Sequence, residues 1–437
     1  MRAQALMTTT VLLEIPQSHA VLRPLLPSLG NLVHDKAEKV RLAAVKLLRR
    51  IKRTPGIHFY HVVPVDHLSA RFSEEESVHR NPKNAVNKEL TALMLYSYFP
   101  QGENVSAGDQ IQRTLTFLIS DPSAAASFYA NLADFLDVKS VAKFIVMLLA
   151  CLQSAVQTEQ AQQAANAEAT KKRRRGGPGN QDAAPTDQSI LASNTRLMVA
   201  LAETICTLLE SIQEPLASPV NEPAQQLLHS RLGEVNLADI LACFEQKAFE
   251  NQGPSSTEKI TREDSFRVCH AILRCASFAP KENMPRVAEF VADSLDAITN
   301  DGSISSINVA SHLSLLATWG MIDDVASALA SSVTSYLEDE MALTLLSPLG
   351  SSTGGRKTRR SSSKTKRKKA KGQFKLPDFP PKFAINVLDD MLRGSSASCE
   401  SLRKSFFASS KACETIGAAL QKVMNFAERA LDNQMVS

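Results

Sequence analysis

Between Leu25 and Arg53 the chain reads LLPSLGNLVHDKAEKVRLAAVKLLRRIKR: the end of one helix, a short turn, and a second helix with two unlike faces. In the second helix Val40, Ala44, Leu47, Leu48 and Ile51 recur at helical spacing and share one sector, which leaves Lys39, Lys46, Arg50 and Arg53 in another. Burying each of those aliphatic side chains contributes about 1.5–3 kcal/mol. A lone hairpin has nothing to cover them with, so the segment predicts an array of stacked helical hairpins. The cationic sector suits a solvated face as well as a nucleic-acid contact, and on the stripe alone solvent is the simpler reading.

The same period runs through the chain. Leu90, Leu93, Met94 and Tyr98 form a stripe ahead of the turn Phe99-Pro100-Gln101-Gly102, and Asp121-Pro122 reads as an N-cap followed by proline at the first helical position. Val141, Phe144, Ile145, Leu148, Leu149 and Leu152 give a fully apolar stripe. Further stripes are Leu197, Leu201, Ile205, Leu208, Leu209 and Ile212, then Leu237, Ile240, Leu241 and Phe244, then Val287, Phe290, Val291, Leu295 and Ile298. Aromatic residues make up only 5% of the chain and strand-like alternation is rare, so the expected class is all-α. The longest uninterrupted apolar run, Phe144 to Leu152, is far shorter than the ~20 residues a bilayer requires. Neither a membrane span nor a secretory signal is expected. Cys151, Cys206, Cys243, Cys269, Cys275, Cys399 and Cys413 are odd in number and scattered among apolar residues, as reduced thiols of cytosol or nucleus would be.

Charge is segregated. Lys171, Lys172, Arg173, Arg174 and Arg175 form one run. Arg356, Lys357, Arg359, Arg360, Lys364, Lys366, Arg367, Lys368, Lys369 and Lys371 form another without an acid among them. Without these fifteen cations the formal net charge of +4 becomes −11, so the basic character belongs to two short segments. The expected organisation is a helical block over 1–156, a disordered basic linker over 157–188, a second helical block over 189–350, a disordered polybasic loop over 351–378 and a C-terminal helical cap over 379–437. In the cap, Ile385, Leu388, Met391 and Leu392, then Ile416, Leu420 and Val423, carry the apolar pattern.

Five pieces in order, LEIPQSHAVLRPLLPSLGNLVHD, EKVRLAAVKLLRRIK, HFYHVVPVDHLSARF, ASFYANLADF and VAKFIVMLLACLQSAV, lie between about Leu12 and Gln157. In this order and spacing the segment, about a third of the chain, resembles the G-type HEAT-repeat subunit of the condensin II complex. The resemblance implies a HEAT-repeat-like α-solenoid with two disordered basic insertions, corresponding to a C-terminal portion of such a subunit. It implies a non-catalytic scaffold in mitotic chromosome condensation that grips the kleisin subunit and duplex DNA. Through the kleisin it would reach the structural-maintenance-of-chromosomes ATPases and the D-type HEAT subunit. The competing reading is a generic nuclear HEAT adaptor whose basic runs serve import alone.

Under the first reading Lys39, Lys46, Arg50 and Arg53 are the candidate ordered DNA contact, and Arg356 to Lys371 the mobile one. Lys171 to Arg175 and Lys366 to Lys369 also suit import receptors. Ser361, Ser362 and Ser363, which follow Arg359-Arg360, and the proline-directed Ser218 and Ser347 are candidate phosphorylation sites; phosphate there would oppose contact with a nucleic-acid backbone. His58, His61 and His67 with Asp66 are a poor zinc signal, because HxxH lacks a second well-spaced pair. Cys269, His270 and Cys275 sit in an amphipathic pattern with Phe266 and Ile272 and read as core. Gly176-Gly177-Pro178-Gly179 lacks the lysine and strand of a phosphate loop. With no nucleophile, base and oxyanion donor assembled by any motif, neither an enzyme, a cofactor, a metal nor a small-molecule substrate is expected.

Overall fold

A computed structural model describes residues 1–79, 83–102, 104–173, 194–250, 261–301, 306–346, 376, 379–394 and 397–435, and among these the regular structure is helical throughout. The chain forms two compact units, Met1–Ala279 and Pro280–Ser437. That division falls inside the block expected over 189–350.

The first unit contains α1 (Arg2–Leu12), α2 (His19–Leu22), α3 (Leu26–Leu29), α4 (Glu38–Lys52), α5 (Val65–His79), α6 (Ala85–Tyr98), α7 (Ala107–Ser120), α8 (Pro122–Leu132), α9 (Val138–Arg173), α10 (Thr195–Leu216), α11 (Glu222–Glu234), α12 (Leu237–Glu250) and α13 (Arg262–Ala276). Packing advances stepwise along this series: α1 on α4, α4 on α6, α6 on α8, α8 on α10, and α10 on α13. Each helix buries its stripe against the next repeat, as a solenoid requires. Val40, Ala44, Leu47, Leu48 and Ile51 are all buried, as are the stripes expected on α9, α10 and α12.

Local chemistry sets the joints. Ser106 caps α7 in a reciprocal box with Asp109, and Asp121 Oδ1 accepts from Ala124 N at 3.0 Å with Pro122 in the first turn of α8. Ahead of α4 the chain proceeds in short helical pieces, including 3-10 turns at Pro16–Ser18 and Gly30–His34, because Pro16, Pro24 and Pro27 interrupt the backbone ladder. A Cβ on Gly30 would lie 2.3 Å from Val62 O, so glycine is required where that turn meets the loop after α4.

α8 is the axis of the unit. Phe128 and Tyr129 are fully buried, and Tyr129 Oη donates to Thr114 Oγ1 at 2.9 Å. The Tyr98 ring stacks on Phe117 with centroids 3.7 Å apart, and both belong to this aromatic cluster. α9 continues as helix to Arg173, past residue 157 where the linker was expected to start. Within it Val138–Ala161 is long and apolar enough to cross a membrane, and half of it is buried; its stripe packs on α10 and α11.

The second unit contains α14 (Pro285–Asp301), α15 (Ser306–Thr318), α16 (Ile322–Leu346), α17 (Pro381–Arg393), α18 (Ala397–Ala408) and α19 (Ser410–Met435). The C-terminal helices pack onto 306–346: α19 and α17 on α16, α18 on α15. Ser409 Oγ donates to Asp323 Oδ1 at 2.7 Å, and Arg403 donates to the carbonyls of Met391 and Gly394 at the end of α17. The apolar stripe of α17 is Ala384, Val387, Leu388 and Met391; Ile385 and Leu392, expected to be part of it, are exposed.

Candidate nucleic-acid interface

α4 carries seven cations counting Arg53 at its C-terminal boundary, and the structure divides them by position on the helical wheel. Arg41 lies within the buried sector. Its Nη1 donates to the carbonyls of Asp35 and Lys36 at 3.0 Å each, and its Nε and Nη2 donate to the fully buried Glu75 of α5. Arg71 reaches the same carboxylate at 3.2 Å and Glu74 at 2.6 Å. Two guanidiniums thus hold one buried acid, the arrangement in which removing a partner costs most.

Arg49 pairs with Glu89 on α6. Lys52 Nζ donates to Leu93 O and lies 5.8 Å from the Phe59 ring centroid and 5.6 Å from that of Tyr96. Burial, with Arg49 beside it, pulls the Lys52 pKa below the ordinary lysine value. These cations bind α4 to its neighbours.

Lys39, Lys46 and Arg53 are different. All three are exposed, and among the described residues none makes an ion pair or side-chain hydrogen bond. They are spaced by seven residues, so each follows the last by about 10.5 Å along the axis with little rotation. Arg50 lies beside this row but is half-buried, with Nη2 3.9 Å from Glu14 Oε1. Of the four cations singled out from sequence, three have no ion pair or side-chain hydrogen bond among the described residues and one leans on the turn after α1. The Glu14 contact is 36 residues distant in sequence, which is why periodicity within α4 does not disclose it. The signal for Arg41 was available: an arginine inside an apolar stripe needs a buried partner.

Lys171, Lys172 and Arg173 end α9, and their side chains lie outside the described residues, as do Arg174, Arg175 and every candidate from Ser347 to Lys371, including Ser361, Ser362 and Ser363. Ser218 is exposed at the N-cap of the 3-10 turn Pro219–Asn221.

Among the described residues no three His, Cys, Asp or Glu side chains gather in a metal-binding group. His58 instead stacks on Tyr60, and His67 meets His34 edge-on at 5.7 Å. Cys269 is half-buried, its thiol pushed up by desolvation and directed at Leu241 O at 3.9 Å. Burial lowers the His270 pKa, and Cys206 is held well up by its contact with the Cys275 thiol and by burial. Both cysteines lie in the core. They are packing residues with no open approach.

The chain is similar to proteins named condensin-2 complex subunit G2. It is 22% identical to that of Danio rerio over 336 residues, 76% of this chain and 25% of the relative. It is 24% identical to that of Mus musculus over 318 residues, 72% of this chain and 24% of the relative, and 26% identical to that of Homo sapiens over 208 residues, 47% and 17%. The chain therefore spans about a quarter, at most, of the curated relatives it matches. The likeness extends well beyond the third of the chain that carries the quoted motifs. No family model and no solved structure matches.

Proposed function

We propose that this chain is a non-catalytic scaffold segment of a condensin II subunit of the G type, acting in the nucleus on mitotic chromosomes. Its α4 row contacts duplex DNA without reading sequence. The observation that carries the DNA reading is the division of cations on α4. Arg41, Arg49 and Lys52 each have a partner in the fold, whereas among the described residues Lys39, Lys46 and Arg53 have none, and all three are exposed at seven-residue spacing. Duplex DNA presents one charge per about 1.7 Å of axis, so a straight row of cations meets phosphates in any register. Such contacts position and do not specify.

The condensin reading is supported by relatives that all bear the name of that subunit and by the stepwise helical packing of the first unit. In it the chain joins a kleisin subunit and, through that, the ATPases and the D-type subunit. Arg356 to Lys371 supplies a second set of phosphate contacts, which modification of Ser361, Ser362 and Ser363 would weaken, and Lys171 to Arg175 serves import.

The test is a salt titration of binding to an arbitrary duplex by the full chain and by Lys39→Ala/Lys46→Ala/Arg53→Ala. Loss of three phosphate contacts lowers the slope of log K against log salt by roughly 2.7, equally for unrelated sequences. An unchanged slope removes the row from the interface and leaves the adaptor reading. Co-purification with kleisin fragments tests the assembly.

A further inference from the structure

The loop after α4 carries a cluster of rings. Phe59 is buried, and Tyr60 follows it at the surface, 47% exposed. The His58 ring lies on Tyr60 at 5.0 Å with planes 9° apart, and His61 meets Tyr60 edge-on at 4.7 Å. Both histidines are exposed. Tyr96 of α6, 61% exposed, has its ring centroid 5.6 Å from Lys52 Nζ. Among the described residues the exposed large aromatic side chains are Tyr60, Tyr96 and Phe407; Tyr96 lies against Lys52, and Tyr60 adjoins Phe59, whose ring lies against the same lysine.

The segment that presents Tyr60 is held from several directions. Arg23 Nη2 donates to Gly56 O at 2.7 Å, Lys52 lies against Phe59, Val62 and Val63 are buried, and Gly30 packs against Val62 O. Gly56 itself takes a φ of 75°, the left-handed turn that glycine permits. The exposed rings are therefore presented by a fixed backbone and need little ordering on binding.

We propose that this aromatic cluster accepts unpaired bases, and that the α4 surface binds single-stranded DNA with its backbone along Lys39, Lys46 and Arg53 and bases stacked on His58–Tyr60 and Tyr96. Exposed cations that can follow a backbone and exposed rings on which bases can stack are the two components of sequence-tolerant single-strand binding. A duplex keeps its bases stacked inside and can use only the cations. The inference shares those cations with the duplex reading and adds the class of DNA the surface prefers.

The experiment compares a labelled 20-nucleotide oligo-dT with a 20-base-pair duplex by fluorescence anisotropy at one salt concentration, using the full 437-residue chain. Tyr60→Ala/Tyr96→Ala is expected to weaken oligo-dT binding by about tenfold or more and duplex binding by less than about twofold, and Tyr60→Phe/Tyr96→Phe to restore it. Equal weakening on both DNAs, or none on oligo-dT, overturns the inference even if the duplex reading stands. Oligo-dT binding that depends on the tyrosines, with no duplex binding, upholds the inference and overturns the duplex reading. Binding of neither DNA overturns both. Should the alanine pair disturb folding by circular dichroism, photocrosslinking of a bromodeoxyuridine oligonucleotide to the unaltered chain decides: adducts at Tyr60 or Tyr96 support the proposal, and adducts confined elsewhere overturn it.

Discussion

Arg41 and Lys46 are five residues apart on one helix and carry the same charge, yet the fold uses them in opposite ways. Arg41 is 5% exposed and spends its donors on Glu75 and on two carbonyls, whereas Lys46 stands in solvent beside Lys39 and Arg53. Five residues turn a helix by about 140°, enough to move a side chain from the covered sector to the open one. A cation count for α4 would treat the two alike, but only position against the neighbouring helices separates a structural cation from an available one.

The largest effect that would break this division is Arg41→Ala. It leaves Glu75 buried with Arg71 beside it, at a cost of about 3–5 kcal/mol. Chemical denaturation should show the midpoint falling steeply, while the slope of DNA binding against salt, measured on the fraction still folded, stays the same. Replacing both partners by apolar residues, Arg41→Met with Glu75→Leu, should recover part of the loss, because the buried carboxylate has gone while Arg71 keeps its pair with Glu74. If the single and double variants were equally unstable, the ion pair would not be what Arg41 contributes.

Lys39→Ala/Lys46→Ala/Arg53→Ala is the mirror experiment. Exposed side chains without partners contribute within about 0.5 kcal/mol each to stability, so the denaturation midpoint should hardly move while the salt dependence of DNA binding flattens. Adding Arg50→Ala should change binding little further, since Arg50 is half-buried and leans toward Glu14. A drop in stability comparable to Arg41→Ala would show that the row has structural partners after all.

A smaller effect probes the core against which both kinds of cation are held. Tyr129→Phe removes the hydroxyl that donates to Thr114 inside a fully buried cluster and leaves the ring in place. The expected loss is about 1–1.5 kcal/mol, a net buried hydrogen bond, with DNA binding untouched. Any change in affinity would mean that the packing of α7 on α8 reaches as far as the α4 surface.

The helices themselves were legible because their apolar residues repeat locally: every residue of the α9 stripe from Val141 to Leu152 is buried, and the Asp121-Pro122 start of α8 is where the sequence puts it. What was hidden depends on contacts between distant positions. Glu75 selects Arg41 from 34 residues away, and Lys52 finds Leu93 O and the Tyr96 ring across α6. The rings beside Lys52, Phe59 and Tyr96, come from a loop and a separate helix, so no window of sequence shows them together. That α9 runs past residue 157 has a different cause: alanine and glutamine are good helix formers, and a helix already anchored by its stripe propagates through them.

The smallest effect concerns a charge that is neither buried nor free. Asp109 is fully exposed, yet its Oδ2 accepts from Ser106 N at 2.9 Å and from Ser106 Oγ at 2.7 Å, and these bonds hold its pKa below the ordinary carboxylate value, the side-chain bond contributing most. A depressed carboxylate stabilises the fold above the unfolded value of about 3.9 and loses that contribution as pH falls through the folded one. Asp109→Ala should therefore be slightly less stable than the unaltered chain at pH 7, and the gap should close in acid as the native Asp109 protonates. Denaturation curves at pH 7 and near pH 2.5 compare the two. A gap that persisted in acid would assign the effect to helix propensity in α7 instead of the ionised cap, and would place Asp109 with the solvent-facing charges that hold nothing in place.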